Sequence, residues 1–166
     1  MKNTAKLLFL VLTVLYLHTA CTKEPCEEDI PVIEYNRFER IMPDTFLLVY
    51  DFTDCEGNIG LESSDDDPPF DRDSEYFFNF WVDLYFMENG EWQLYDFGDG
   101  PGLNDRIRRI FDDGRSRPVE GEIEKFIDAS AFDPDLDTIK FRAVLVDRAL
   151  NKSFPADSDP IVLSRK

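Results

Sequence analysis

The chain predicts an all-β protein, an antiparallel β-sandwich of about seven to nine strands. Three observations carry this. Apolar and polar residues alternate with period two over short runs, as in TFLLVYDF at 45–52 and DTIKFRAVLVD at 137–147. Turn-forming clusters separate the runs: Asn89-Gly90, GDGPG at 98–102, DDGRSRP at 112–118 and DPDLD at 133–137. No stretch holds a 3.6-residue apolar period. The 166 residues suit one domain, and 43% hydrophobic content with 15 Phe is too apolar for a disordered acidic tail. A chain of this size buries roughly 68–70% of its unfolded surface.

In chain order the strand signals fall at residues 32–37, 45–52, 76–88, 91–97, 106–111, 119–127, 137–147 and 160–164. The longest, YFFNFWVDLYFME, runs into Asn89-Gly90, a strong two-residue hairpin signal. Strands of this number and spacing suit an immunoglobulin-like sandwich, with a small barrel as the structural alternative.

The sequence before residue 31 reads as an export signal and a tether. Lys2 and Lys6 precede an 11-residue apolar run at 7–17, long enough for a signal peptide and short of the about 20 residues that span a bilayer. His18-Thr19-Ala20-Cys21 follows and resembles a relaxed bacterial lipobox of the Bacteroidetes type, with His18 where Leu is usual. The resemblance implies cleavage after residue 20, acylation of Cys21 and an outer-membrane lipid anchor, periplasmic or surface-exposed. Ordinary cleavage leaving a free thiol is the alternative. Residues 21–30 (CTKEPCEEDI) form an acidic tether, either a plain spacer or one resembling the surface-export signals of such lipoproteins. Residues 31–166 form the folded domain.

Removal of 1–20 takes Lys2 and Lys6 with it, so the formal charge moves from −17 to −19. That argues against nucleic acid as a partner and against an electrostatic hold on anionic lipid. The single histidine, His18, leaves as well. The processed chain therefore has no Ser-His-Asp or Cys-His catalytic set and no histidine metal site. It also lacks a Gly-x-Ser-x-Gly elbow and a phosphate-binding glycine loop. Acids are so abundant that no carboxylate pair is diagnostic of a glycoside hydrolase. The expectation is a binding or assembly module without catalytic activity. Its partners are the bilayer, through acylated Cys21, and a protein or glycan at the cell surface.

A second resemblance adds to this reading. DFTDCEGNIGL at 51–61 is similar to the DGDGDIGL segment of uncharacterised Bacteroidetes lipoproteins with an immunoglobulin- or fibronectin-like domain. DTIKF at 137–141 and VDRALNKS at 146–153 resemble their C-terminal strand and following loop. The family implies a fold and a location, and no activity.

Four features are candidates for function. With Cys21 acylated, Cys26 and Cys55 remain, and a hairpin turning at Met42-Pro43-Asp44 folds one toward the other. They form a disulfide in an oxidising compartment or stay as two thiols. Asp54, Glu56 and Asn58 offer oxygen ligands around Gly57, so calcium is the one cofactor to consider. The twelfth position after the EF-hand pattern is Asp65 rather than Glu, and the competing reading is a turn with Gly57 and Gly60 at positive φ. On the long strand, Phe78, Phe80, Val82, Leu84 and Phe86 share a face assigned to the core. Trp81 and Tyr85 share the other, with Trp92 beside Met87 across the turn. These rings suit a sugar or a protein surface, or lie covered by the 98–118 loop. Last, Arg106, Arg108, Arg109, Arg115 and Arg117 face either the acidic 62–75 segment or an outside anion.

Labelled palmitate is expected to enter the wild-type protein and to be absent from Cys21→Ala. Equal labelling of both refutes the anchor.

Overall fold

The fold is described from a computed structural model over Cys26 and residues 29–100, 102–111, 115, 117–133 and 135–163. The expected export signal, Cys21 and most of the expected tether lie outside the described residues. What is described is all-β. Strands β1 (Val32–Met42), β2 (Thr45–Asp54) and β5 (Val119–Asp128) form one antiparallel sheet in the order β1-β2-β5. Strands β3 (Phe80–Glu88), β4 (Glu91–Leu94), β6 (Thr138–Leu145), β7 (Ala156–Asp157) and β8 (Ile161–Val162) form the other, in the order β4-β3-β6-β7 with β8 also on β6.

The two sheets face each other across one apolar core, the sandwich expected from the alternation. Phe46, Leu48, Tyr50 and Phe52 of β2 meet Phe80, Val82 and Leu84 of β3 and Ile139, Phe141 and Ala143 of β6. Tyr50 is fully buried, its ring 6.0 Å from Phe80 and 5.8 Å from Tyr35, both edge-on. Its hydroxyl donates to the Ala156 carbonyl at 3.4 Å, so the one polar atom of the ring is satisfied inside the core.

The hairpin at Asn89-Gly90 forms with φ of 52° and 86°, the left-handed pair that a two-residue turn of matching twist requires. Its register sets Met87 against Trp92 and Glu88 against Glu91, as the sequence predicts. Both glutamates are exposed, so solvent screens the repulsion.

Several expected strands differ: that at 91–97 ends at Leu94, that at 160–164 narrows to Ile161–Val162, and Ala156–Asp157 pairs as a strand the sequence did not suggest. The first runs on to Met42, accommodated by register shifts at Tyr35/Arg37 and Arg40/Met42. Residues 76–79 are not strand: Ser74 caps a short 3-10 turn over Glu75–Phe77, its side chain accepting from Tyr76 N at 3.1 Å. Residues 106–111 form no strand either; their ladder pairing is a single bridge of Arg108 with Leu61, and Ile107 packs on the core.

Arg106 explains why that segment leaves the sheet. Its guanidinium donates to four main-chain carbonyls: Phe70 at 3.3 Å, Phe77 at 2.6 Å, Glu62 at 3.2 Å and Asp65 at 2.5 Å. The same group lies 5.0 Å from the Phe77 ring centre. Five donors in a rigid fork suit this task, where a lysine offers only a point charge. The acidic 62–77 segment is wound around one cation through its backbone. Arg109 adds an ion pair to Glu62 at 2.8 Å, and Arg148 pairs with Asp65.

Arg106→Ala is expected to cost roughly 2 kcal/mol, because four carbonyls lose a donor at once. It is also expected to open the 62–75 segment to limited proteolysis. Arg109→Ala, which breaks a partly exposed ion pair, is expected to cost no more than about 1 kcal/mol. Thermal melts and protease digestion of both variants check the difference.

Candidate functional site

The outer face of the five-stranded sheet gathers the aromatic residues singled out from the sequence. Period-two alternation sends Phe80, Val82 and Leu84 inward and leaves Trp81, Asp83, Tyr85 and Met87 outward. The β3–β4 register brings Trp92 beside Met87 and Leu94 beside Tyr85. The β3–β6 register brings Lys140 opposite Tyr85 and Arg142 opposite Asp83. Met87 and Leu94 are 38% and 58% exposed, while Trp81, Tyr85 and Trp92 are half-buried.

The cover on the rings is cationic. Lys140 Nζ stands 5.3 Å from the centre of Tyr85 and 5.1 Å from that of Trp92. Arg142 lies 5.3 Å from Tyr85. Lys152 Nζ lies 4.5 Å from Trp81 and 5.1 Å from Tyr76, whose ring is 6.1 Å from Trp81. The Trp81 indole N–H is also spent, donating to the Phe78 carbonyl at 2.8 Å. Attraction of a cation to an aromatic quadrupole is worth ~0.5–1 kcal/mol per contact at exposed sites. Of the 98–118 loop, expected as one cover for these rings, the described residues 98–100 and 102–104 line a hollow with Asp83 and Leu94 rather than with Trp81, Tyr85 or Trp92. Asn104 Oδ1 accepts from Val82 N at 2.9 Å along the β3 edge, and Phe97 and Leu103 pack on the core.

Each cation also has an acid. Asp157 accepts from Arg142 Nε at 2.6 Å and Nη2 at 2.9 Å, and from Lys140 Nζ at 2.9 Å. Lys152 pairs with Glu75 at 2.8 Å. With Asp83 opposite Arg142 as the third acid, the face is a neutral mosaic on a strongly acidic chain. Hydrogen bonds from Arg142 first, opposed by partial burial and reinforced by Lys140, hold the Asp157 carboxyl at about 2. Burial pushes the Asp83 carboxyl up, against the pull of Arg142. The cations were not singled out from the sequence. Lys140 and Arg142 do alternate with the core residues of β6, but their partner strand lies about sixty positions away.

The three oxygen-bearing residues near Gly57 are brought together differently. Asp54 is fully buried, and its carboxylate accepts from Asn58 N at 2.8 Å and Glu56 N at 3.4 Å. Asn58 Nδ2 donates to Glu56 Oε2 at 2.8 Å. These bonds close a turn. Burial, with the nearby Asp147 as a lesser cause, raises the Asp54 carboxyl, and the two amide donors partly offset it. Among the described residues, no group of three or more carboxylates, thiols or imidazoles is placed to hold a metal ion. Gly57 and Gly60 take φ of 65° and 96°, and a Cβ on either would strike a carbonyl, of Arg117 or Arg108 respectively, within 2.4 Å. The segment at 51–61 is therefore a corner where three stretches of backbone approach closely.

Cys26 and Cys55 are joined in a disulfide with Cα atoms 5.2 Å apart, pinning the residues before β1 to that corner. A cavity of about 190 Å³ beside β3 is lined by Val82, Leu84, Leu94, Tyr95, Phe97 and Leu103. It is smaller than the usual range for small-molecule sites. Compared with known protein families, curated proteins and solved structures, the chain matches none.

Asp157→Asn is expected to lower stability at pH 7 by about 1 kcal/mol or less, since solvent screens a pair this exposed. A lowered carboxyl stabilises the folded state above its unfolded value and loses that contribution as pH falls through the folded one. The gap between wild type and variant is therefore expected to close between about pH 4 and pH 2, as followed by urea melts.

Proposed function

We propose that the protein is a lipid-anchored binding or assembly module of the bacterial outer membrane, without catalytic activity. Acylated Cys21 holds it to the bilayer, and the outer face of the five-stranded sheet docks a protein partner. The observation that carries the reading is the mosaic of Trp81, Tyr85, Trp92, Met87 and Arg142 on one exposed sheet face. Aromatic residues, Met and Arg are the types enriched in protein interfaces. A sugar stacks on a bare ring face, whereas here Lys140 and Lys152 already occupy faces of the rings. That favours a protein over a glycan.

Other features support the setting. The Cys26–Cys55 disulfide suits an oxidising compartment beyond the cytoplasm. The strand orders β1-β2-β5 and β4-β3-β6-β7 read as A-B-E and C′-C-F-G in immunoglobulin lettering, with no strand D among the described residues. That order supports kinship with immunoglobulin- or fibronectin-like domains and with the lipoproteins that 51–61 and 137–153 resemble. The reading as a calcium-stabilised accessory has less support, because both Asp54 oxygens accept main-chain N–H groups.

A photo-crosslinker placed at Leu94 in the anchored protein, in its native envelope, is expected to give a discrete protein adduct. The same group at Asp67, exposed in the 62–77 segment, is expected to give none. Tyr85→Ala with Trp92→Ala is expected to abolish the adduct while the melting transition persists. An adduct that survives the double variant, or no adduct from Leu94, refutes the docking face. Retention on a polysaccharide column that Trp81→Ala removes reassigns the face to sugar.

A further inference from the structure

The edges of the two sheets are not alike. A free edge presents unpaired main-chain N–H and C=O groups, and proteins guard such edges with bulges, brevity or a covering segment. Strand β1 carries two register shifts and lies against β7. Strand β4 has four residues, and β7 and β8 have two each. Strand β5 is different. It ends its sheet and runs ten residues, Val119–Asp128, in unbroken register with β2 from Thr45/Asp128 to Asp54/Val119. Among the described strands it is the one long edge without a bulge. Lys125 points inward and its ammonium is held by Asp105 at 3.0 Å, so it does not guard the edge.

The side chains along that edge specify a partner. The register puts Glu120, Glu122, Glu124 and Phe126 on the outer face, beside Thr53, Asp51, Val49 and Leu47. The three glutamates are exposed, and Phe126 is 67% exposed. One cation on this face, Arg37, reaches Glu122 at 3.3 Å and Glu124 at 3.9 Å, and it also serves Glu39. Carboxylates at alternate positions, ending in an exposed ring, complement an extended segment with Lys or Arg at alternate positions and an apolar residue near one end. A second copy of this chain fits poorly, because antiparallel β5–β5 pairing sets glutamates against glutamates.

We propose that the free edge of β5 binds a basic, extended segment of a partner protein by strand addition. Main-chain hydrogen bonds supply the grip, and Glu122, Glu124 and Phe126 select the sequence. This surface lies on the sheet opposite to the aromatic mosaic, so its test does not depend on that face.

The probe is a fluorescent peptide of about eight residues alternating Lys with Val, ending in Leu. The control is the same peptide N-methylated at every second amide, which keeps its charge and cannot pair along one edge. Binding to the processed protein is measured by fluorescence anisotropy, and the site by hydrogen exchange. The peptide is expected to bind and to protect amides within 119–128. The methylated control is expected to bind about tenfold more weakly or not at all. Phe126→Ala, at an exposed position, is expected to weaken binding several-fold without lowering the melting temperature. Equal binding of both peptides shows attraction by charge alone and overturns the proposal. So does protection outside β5. A concentration-dependent dimer that protects 119–128 without peptide assigns the edge to a second copy and also overturns it.

Discussion

The apolar interface between the two sheets is the constraint on which the rest of the molecule depends, and β2 is its centre. That strand pairs with β1 on one side and β5 on the other. It sends Phe46, Leu48, Tyr50 and Phe52 into the core. Because side chains alternate strictly along a strand, each commitment to the core also decides what faces outward. Once Phe80, Val82 and Leu84 are inside, Trp81, Asp83 and Tyr85 have no choice but the surface. The candidate docking face is the reverse side of a packing decision.

Charge follows the same logic at longer range. The net charge of −17 suggests an acidic surface throughout, yet the structure distributes it in three ways. The 62–77 segment is gathered around the Arg106 guanidinium through carbonyls rather than carboxylates. The outer face of the five-stranded sheet balances Lys140, Arg142 and Lys152 against Asp83, Asp157 and Glu75. The outer face of the three-stranded sheet keeps its acids, with Arg37 as their counterion on β1. Two sheets of one small domain thus present different chemistry: one neutral and aromatic, the other acidic beside an open edge.

The legible parts of the fold were those governed by neighbours in sequence. The Asn89-Gly90 hairpin and its register followed from two residues whose backbone preferences match the turn. The alternation along β6 separated Ile139, Phe141 and Ala143 from Lys140 and Arg142 without any knowledge of their partners. Less legible were places where a distant group overrides local preference. Residues 76–79 continue an apolar run that reads as strand, but Ser74 caps a turn there and Arg106 holds the Phe77 carbonyl. Residues 106–111 alternate like a strand, but Arg106 leads the chain across to the acidic segment instead. For the aromatic residues, the sequence pointed to Trp81, Tyr85 and Trp92 and not to the cations that cover them.

By itself, then, the sequence determined the β class, the hairpins, the inward and outward sets of β3 from Phe80 onward, and the lack of histidine after residue 18. Each depends on residue identity or on a period of two, which is a local property of extended backbone. Only the tertiary structure decided which strands lie side by side. That choice put Lys140 over Tyr85 and Trp92, closed Cys26 onto Cys55, wound the acidic segment onto Arg106 and left β5 at the end of its sheet among the described strands. Strand pairing rewards contacts between residues tens of positions apart, and the free energy of such contacts is set by the whole core rather than by any one segment.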